Sequence, residues 1–491
     1  MADHSAARAD RGAGVLLGQA CGNALGVPYE FARQPGTSEL AEMRGGGLGP
    51  YAPGEWSDDT QMSVCIARVT STGADLTNND ALDAIADGFL EWAAHGATDI
   101  GNQTRAVLTA GQRGGRPHLD PAEGRGARVR VAPQPQRWQR RTDANQSCGT
   151  DQPRDRDRTA EAARAVAELT HADPLAGDSC VLWSEAVRVA VQEARFSVAE
   201  GLDLLPEQRR DQWSGWITDA ERKLSATFRP NGFTVTALQA AWSSIVSTPI
   251  PRLEPENASY PCLHLQEALH AAVRIGDDTD TVAAIAGGLL GACWGSSAVP
   301  ARWRRVIHGW PRLRARDLVT MSVLTARGGR PDSSGWPTGA TMEYGQHSRA
   351  SAAHPYDGEV LLGTATPTGP KPTAVVSLCR MGCDEPLVRG VPSGDWLEAW
   401  LIDCDDVRAN PNLDFVLADT AQMVADLRAE GKHVLVHCVA AEQRTPSVAV
   451  AYARQLGITA PEAQQAVRRA LPSARARGRL WEQAALVAPA E

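Results

Sequence analysis

At 491 residues the chain is longer than one hydrophobic core usually supports, so two or more domains are expected. A formal net charge of -9 without a Lys/Arg run argues against a nucleic-acid-binding face, and no apolar stretch approaches the roughly 20 residues that cross a bilayer. The ten cysteines are scattered, and the nearest pair, Cys379 and Cys383, lacks CxxC spacing. Reduced thiols and a cytoplasmic location are therefore expected. The N-terminus, MADHSAARADRGAG, has no apolar core of the kind a signal peptide carries.

In chain order, the pattern from Gly12 to about Gly328 is helical, and residues 1–328 read as one all-α domain. GVLLGQACGNALGVPYEF places Gly18, Gly22 and Gly26 at helical spacing, where backbones can approach closely, and ends in Glu30. Next comes Ser57-Asp58-Asp59-Thr60. The stretches ALDAIADGFLEWAA, AEAARAVAEL and CVLWSEAVRVAVQEA repeat apolar residues every 3.6 positions. Asp277-Asp278-Thr279-Asp280-Thr281 follows and runs into VAAIAGGLLGACWG, a further helix. Each acidic cluster alone reads as a helix N-cap. Two clusters of carboxylates and hydroxyls brought together by folding would instead supply hard oxygen ligands for divalent metals, because adjacent anionic groups repel without a cation.

Residues 329–355 are rich in Gly, Pro and Ser and read as a linker. From 356 to 491 the period changes. GEVLLGT, TAVVSLC, EAWLID and HVLVHC are short β-type runs, with FVLADTAQMVADLRAEG and PSVAVAYARQLG as helices among them. That alternation predicts a small α/β domain with a mainly parallel sheet.

The ordered set GVLLGQACGNALGVPYEF, SDDT, DIGNQTR (Asp99 to Arg105) and GDDTDTVAAIAGGLLGACWG resembles the ADP-ribosylglycohydrolase family, which includes the dinitrogenase-reductase-activating glycohydrolases. The resemblance covers roughly residues 10 to 310. It implies an all-α fold and a site for two Mg2+ or Mn2+ ions. The implied metal ligands are Ser57, Asp58, Asp59, Asp278, Asp280 and Thr281, with Ser57 where Thr is usual. Glu30 and Asp99 match the family's other acidic positions. Either could act as general base or orient the water that attacks C1'' of ADP-ribose. Phe233 falls near an adenine-stacking position, although a core role is the simpler reading. Asn23 stands where the family commonly has Asp, which bears on support of the metal ligands.

Between about Arg113 and Asp151 the helical pattern gives way to Arg, Gly, Pro and Gln, and the family's NGxLMR-type motif is missing. A long structureless insertion in a compact domain is uncommon. With suitable synonymous codons, Gln136 to Thr150 read one nucleotide later can yield SGGNGGLMRTSPVAL. We read the stretch as bounded by compensating frameshifts, in the gene or in its sequencing.

In the C-terminal region, VLVHCVAAEQRTPSVAVAYA holds His437, Cys438 and Arg444 in an HCx5R arrangement at a strand–loop–helix junction. Such a loop turns N–H groups around an oxyanion, and its charge environment favours a thiolate. The segment resembles the cysteine-dependent dual-specificity and tyrosine phosphatases over about residues 356 to 475. The resemblance implies Cys438 as nucleophile, Arg444 holding the phosphate and Thr445 assisting the thiolate. The general acid is expected among Asp403, Asp405 and Asp406. Strand alternation through Ile402 and Cys404 favours Asp406, with Asp405 second. Ala441 replaces the usual glycine, and Glu442 adds a negative charge to the loop. The resulting expectation is a hydrolase with two sites, one acting on an ADP-ribosylated protein or small molecule and one on a phosphorylated substrate. The alternative is an ADP-ribose-binding sensor that regulates an attached phosphatase.

Overall fold

The computed structural model describes residues 3–113, 155–344, 351–365, 371–384, 388 and 390–490. The stretch between Arg113 and Asp151 assigned to shifted frames lies, apart from Arg113, outside them. The first two-thirds of the chain is a helical assembly and the last third carries a five-stranded sheet.

Helices α1 (Asp3–Gly26), α2 (Asp58–Thr70), α3 (Asn79–His95), α4 (Asn102–Arg113), α5 (Arg156–Glu168) and α6 (Pro174–Glu193) come first. They are followed by α7 (Glu207–Arg222), α8 (Thr234–Ser247), α9 (His264–Ile275), α10 (Thr279–Trp294), α11 (Ala301–Val306) and α12 (Ala315–Ala326). A two-residue ladder between β1 (His308–Gly309) and β2 (Leu313–Arg314) is a minor departure from the all-α expectation. Trp56, Trp92, Trp183 and Trp213 are completely enclosed in the helical core.

The centre of that core is α1 packed antiparallel on α10. A Cβ on Gly14, Gly18, Gly22 or Gly26 would run into the backbone at Gly291, Gly287, Ala283 or Asp280 respectively. Glycines four residues apart thus line one face of α1 and let the two backbones touch. This contact brings the C-terminal end of α1 and the N-terminal end of α10 to a common point.

In the last third, β3 (Ser351–His354), β4 (Asp357–Gly363), β5 (Ala374–Ser377), β6 (Trp396–Glu398) and β7 (Val434–His437) pair in the order β3-β4-β7-β5-β6. Only β3–β4 is antiparallel. The sheet packs against α13 (Leu413–Ala429) and α14 (Arg444–Gln455), with α15 (Ala460–Ala470) and α16 (Arg479–Ala484) completing this half. Two differences from the sequence reading stand out. A strand begins at Ser351, inside the expected linker, because SAAH is short and carries no alternation to announce it. The run EAWLID is strand only as far as Glu398, and the chain beyond it is irregular.

The two halves are closely joined. Arg305 pairs with Asp395 at 2.9 Å and also with Glu430, and Arg316 pairs with Glu398 at 3.1 Å. Asn412 donates to Trp294 O at 2.7 Å and to Ser297 Oγ at 2.8 Å. The segment 329–344 lies as a strap on the sheet half. Cys383 N–H donates to Gly339 O at 2.9 Å, and the Arg380 guanidinium sits 4.2 Å from the Trp336 ring centre.

Candidate functional site

Both acidic clusters lie at helix N-termini, and the glycine contact between α1 and α10 brings them together. Asp278 precedes α10 after a turn with positive φ at Gly276 (87°) and Asp277 (62°). Asn231 holds that turn, accepting from Asp278 N–H at 2.9 Å and donating to Gly276 O at 3.0 Å. Phe233, two residues on, packs against the helical core. Ser57 occupies the N-cap position of α2 without a side-chain capping bond, and Asp58 and Asp59 lie in its first turn, where helix N–H groups favour anions.

Carboxylate oxygens of Glu30, Asp278 and Asp280 lie within 4.8 Å of one another, and so do those of Asp58, Asp59 and Asp280. Asp280 belongs to both triads. All five carboxylates are buried, as are Ser57 and Thr281. Ser57 Oγ donates to Asp280 Oδ2 at 2.8 Å, while Thr281 Oγ1 lies 3.3 Å from Asp59 Oδ2. The sequence expectation placed all six metal-ligand residues here, and the structure brings them together. It adds Glu30, expected as a base, to one of the triads.

Asn23 accounts for its own departure from the family pattern. Its Oδ1 accepts from Ser57 N–H at 2.8 Å, which directs Nδ2 towards Ser57 Oγ at 2.7 Å and Asp59 Oδ2 at 3.0 Å. A carboxylate in its place could accept from the backbone but could not donate to Asp59. The Asp280 Oδ1 atom is buried without a hydrogen-bond partner among the described residues. A donor set made only of carboxylate and hydroxyl oxygens suits a hard divalent cation, and a bound cation would satisfy that orphaned atom.

Tyr51 was not singled out from the sequence. It follows Gly45, Gly46 and Gly47, all at positive φ (72°, 84° and 77°), a run that excludes Cβ-bearing residues without strain. The phenol is buried and its oxygen has no hydrogen-bond partner among the described residues. Burial, then the charges of Asp58, Asp280, Asp99 and Glu30, push its pKa well upward, so it is held as a neutral O–H donor. The only signal in the sequence is an aromatic residue in a Gly/Pro-rich loop just before the first cluster. Asp99 is half-buried, lies outside both triads and accepts from Ile100 N–H at 2.9 Å.

The second site begins where β7 ends. Cys438 is buried, and its Sγ accepts from Ala441 N–H at 3.2 Å. Ala441 adopts φ 54°, the left-handed conformation in which glycine is usual, at a cost of about 1–2 kcal/mol. Arg444 opens α14. Its Nη1 donates to Leu378 O and Leu401 O at 3.3 Å each, while its buried Nε lacks a partner among the described residues. Thr445 Oγ1 donates to Gly363 O at 3.3 Å. The Glu442 charge is paired with Arg475 at 2.7 Å. His437 is bonded through Nε2 to Ser377 Oγ at 2.6 Å, and burial pushes its pKa down to about 4.

The three candidate acids differ in their surroundings. Asp406 accepts from Arg408 N, Nε and Nη2 at 2.9, 3.1 and 2.6 Å, and Asp405 accepts from Arg479 N–H at 2.8 Å. Neither lines the cavity that Arg444 lines, whereas Asp403 does. The strand alternation that favoured Asp406 fails because the strand has already ended at Glu398.

The ADP-ribosylglycohydrolase family model matches residues 4–331. An ADP-ribosylarginine hydrolase Tri1 from Pseudomonas putida (strain GB-1) is 28% identical over 313 residues, spanning 60% of this chain and 73% of the relative. An ADP-ribosyl-[dinitrogen reductase] glycohydrolase from Rhodospirillum rubrum is 26% identical, spanning 60% of this chain and 89% of the relative. A solved ADP-ribosylglycohydrolase-related protein complex aligns at 23% identity over 66% of this chain and 99% of its own. Its TM-score of 0.46 is too low to establish a shared fold. The family match stops at residue 331 and does not reach the sheet. Because it takes in two-thirds of the chain and both acidic clusters, the chain belongs to the ADP-ribosylglycohydrolase family.

Proposed function

We propose that residues 1–328 form a hydrolase domain that releases ADP-ribose from an arginine side chain. Residues 329–350 would connect it to a phosphomonoesterase domain spanning 351–491, which takes in β3. The observation that carries the first part is the pair of buried carboxylate triads sharing Asp280, in a chain whose relatives are named for ADP-ribosylarginine and ADP-ribosylated dinitrogen reductase. Two Mg2+ or Mn2+ ions held by Ser57, Asp58, Asp59, Asp278, Asp280 and Thr281, with Glu30, would supply ribose-diol binding and an acidified water. Ser57 and Thr281 orient Asp280 and Asp59 through their hydroxyls. Asp99, whose charge acts on Tyr51 together with those of Asp58, Asp280 and Glu30, would take the proton of the attacking water. Tyr51 offers its O–H to a substrate oxygen. The N–H groups opening α2 and α10 suit the diphosphate.

The test is release of ADP-ribose from an arginine-ADP-ribosylated peptide. Asp280→Asn should lower kcat/KM by about 100-fold or more, since it weakens both triads at once. Unchanged release would remove this reading, and ADP-ribose binding without release by the unaltered protein would favour the sensor reading.

The second part is supported by Cys438 facing the Ala441 N–H at the end of β7, with Arg444 opening the next helix. The Cys438 thiolate attacks phosphorus, and the bond to the leaving oxygen breaks as Asp403 protonates it. Water then attacks the phosphocysteine, releasing phosphate and the thiolate and returning a proton to Asp403. Arg444 holds the equatorial oxygens. Thr445 donates its hydroxyl to Gly363 O and would have to give up that bond to assist the thiolate. Hydrolysis of p-nitrophenyl phosphate should persist in EDTA and vanish in Cys438→Ser. Activity surviving that substitution would sink the proposal. The nine cysteines among the described residues are all free, and no helix there is long and apolar enough to cross a membrane. The free thiols fit the reducing, cytoplasmic environment proposed for the chain.

A further inference from the structure

Arg444 lines a cavity of about 500 Å³ built from both halves of the chain. Val439 and Arg444 form the part contributed by the cysteine loop, and Asp403 lies on the loop after β6. Opposite them stand the first turns of α1, including Asp10 and Ala13, and the strap residues Trp336 and Tyr344. The helical half and the strap thus share one cavity with Val439 and Arg444 of the cysteine loop, while Cys438 itself is not part of the lining. A folded phosphoprotein needs an open cleft for the backbone on either side of its phosphorylated residue. A cavity of this size falls in the range of roughly 300–1,000 Å³ that holds small molecules.

The chemistry of the walls narrows the ligand. Trp336 and Trp400 meet edge to face at 5.7 Å, with an interplanar angle of 70°. Arg380 lies over Trp336, and Tyr344 Oη donates to Arg380 O at 2.5 Å, so the aromatic wall is held from behind. Trp400 Nε1 is tied to Glu398 Oε2 at 2.6 Å, which fixes the second indole. The cavity therefore combines a buried guanidinium nitrogen on Arg444, without a partner among the described residues, with a fixed pair of indoles. The first is the complement of a phosphate and the second of a flat heteroaromatic ring.

We propose that this cavity binds a small phosphomonoester carrying a nucleobase, with its phosphate at Arg444 and its ring against Trp336 and Trp400. The inference rests on the phosphomonoesterase reading of Cys438. It excludes folded phosphoproteins as the main substrates.

The experiment uses the full chain and three substrates: adenosine 5'-monophosphate, ribose 5-phosphate and a phosphotyrosine peptide. The first two differ only by the base. Stacking predicts a KM about 5- to 100-fold lower for the nucleotide, and a kcat/KM above that of the peptide. Trp400→Ala should bring the two KM values together, while Trp400→Phe, which keeps a ring, should preserve most of the difference. Trp336→Ala provides the same test should Trp400→Ala fail to fold. Equal KM values in the unaltered protein, or a better peptide substrate, overturn the inference. Hydrolysis of p-nitrophenyl phosphate separates the two claims. If that activity needs Cys438 and the base gives no advantage, the cavity assignment alone falls. If it does not need Cys438, the phosphomonoesterase reading falls as well.

Discussion

Replacing Gly26 by alanine tests whether the α1–α10 contact builds the acidic site. A Cβ at Gly26 would meet Asp280 Cα and lie 2.5 Å from Thr279 O and 2.6 Å from Asp280 N. The first of these distances is about 0.9 Å short of the 3.4 Å at which ordinary contact begins. All three atoms are backbone, so no side chain can swing aside, and α10 must shift at the carboxylate shared by both triads. Overpacking of this kind costs about 1–3 kcal/mol, partly offset by roughly 1 kcal/mol of helix preference for alanine over glycine. A net loss of up to about 2 kcal/mol corresponds to a fall in Tm of up to about 8 °C. The functional loss should be larger, because a displacement near 1 Å can cost about 10²-fold in rate. Gly215→Ala is the control. It lies in α7 with nothing within 4 Å of the added Cβ, and should raise stability by about 0.5–1 kcal/mol. The assays are thermal melts with and without Mn2+, and ADP-ribose release. If Gly26→Ala keeps wild-type metal affinity and rate, the close backbone contact does not set the site.

Asn23→Ala removes the donor to Asp59 and the acceptor for Ser57 N–H, and should weaken Mn2+ binding about 10- to 100-fold by calorimetric titration. An unchanged affinity would make Asn23 a bystander. Asp403→Asn should slow hydrolysis of an alkyl phosphate by roughly 10²–10⁴-fold and that of p-nitrophenyl phosphate far less, whereas Asp406→Asn should leave both near wild type. The reverse pattern would restore Asp406 as the acid. Burial holds the pKa of His270 and of His437 down at about 4, against about 6.5 in an unfolded chain. The unfolded state therefore binds more protons below pH 6.5. Stability is complete above that pH and falls towards pH 4 by about 1.4 kcal/mol per unit for each histidine. Urea midpoints at pH 7 and pH 5 read this directly, and equal midpoints would contradict it.

The sequence made some features plain because their signals are local and periodic. The glycines of α1 sit four apart, and both acidic clusters open apolar helices, so their convergence followed from two helix ends meeting. The same clusters could not show that Asp280 serves both triads or that Glu30 joins one of them, because those relations depend on how α1 crosses α10. Tyr51 gave almost no signal, since its position depends on a glycine turn and its importance on neighbours distant in the chain. Strand periodicity misled at EAWLID. Leu401 and Ile402 look like strand residues, but β6 stops at Glu398, whose carboxylate is bonded to Trp400 Nε1 and paired with Arg316 of the helical half. A contact across the two halves thus overrides a local β preference. The short strand β3 was hidden in the expected linker for the opposite reason, having no apolar alternation to reveal it.

The two proposed sites stand at opposite ends of the same helix pair. Gly26 and Asp280 meet at one end, while at the other Asp10 accepts from Ser296 Oγ at 2.6 Å and from Ser297 N at 2.9 Å beside the cavity. From Asp280 to Trp294 the helix rises about 20 Å. Backbones in contact cannot slide without a clash, so α1 and α10 behave as one rigid rod. Asn412, bonded to Ser297 and Trp294, joins the sheet half to the cavity end of that rod. A ligand small enough for the cavity cannot reach the carboxylate triads at the same time. A substrate modified for both sites would have to be released from one and captured by the other, so the two activities communicate through solution or through the rod, not by direct transfer of a bound group.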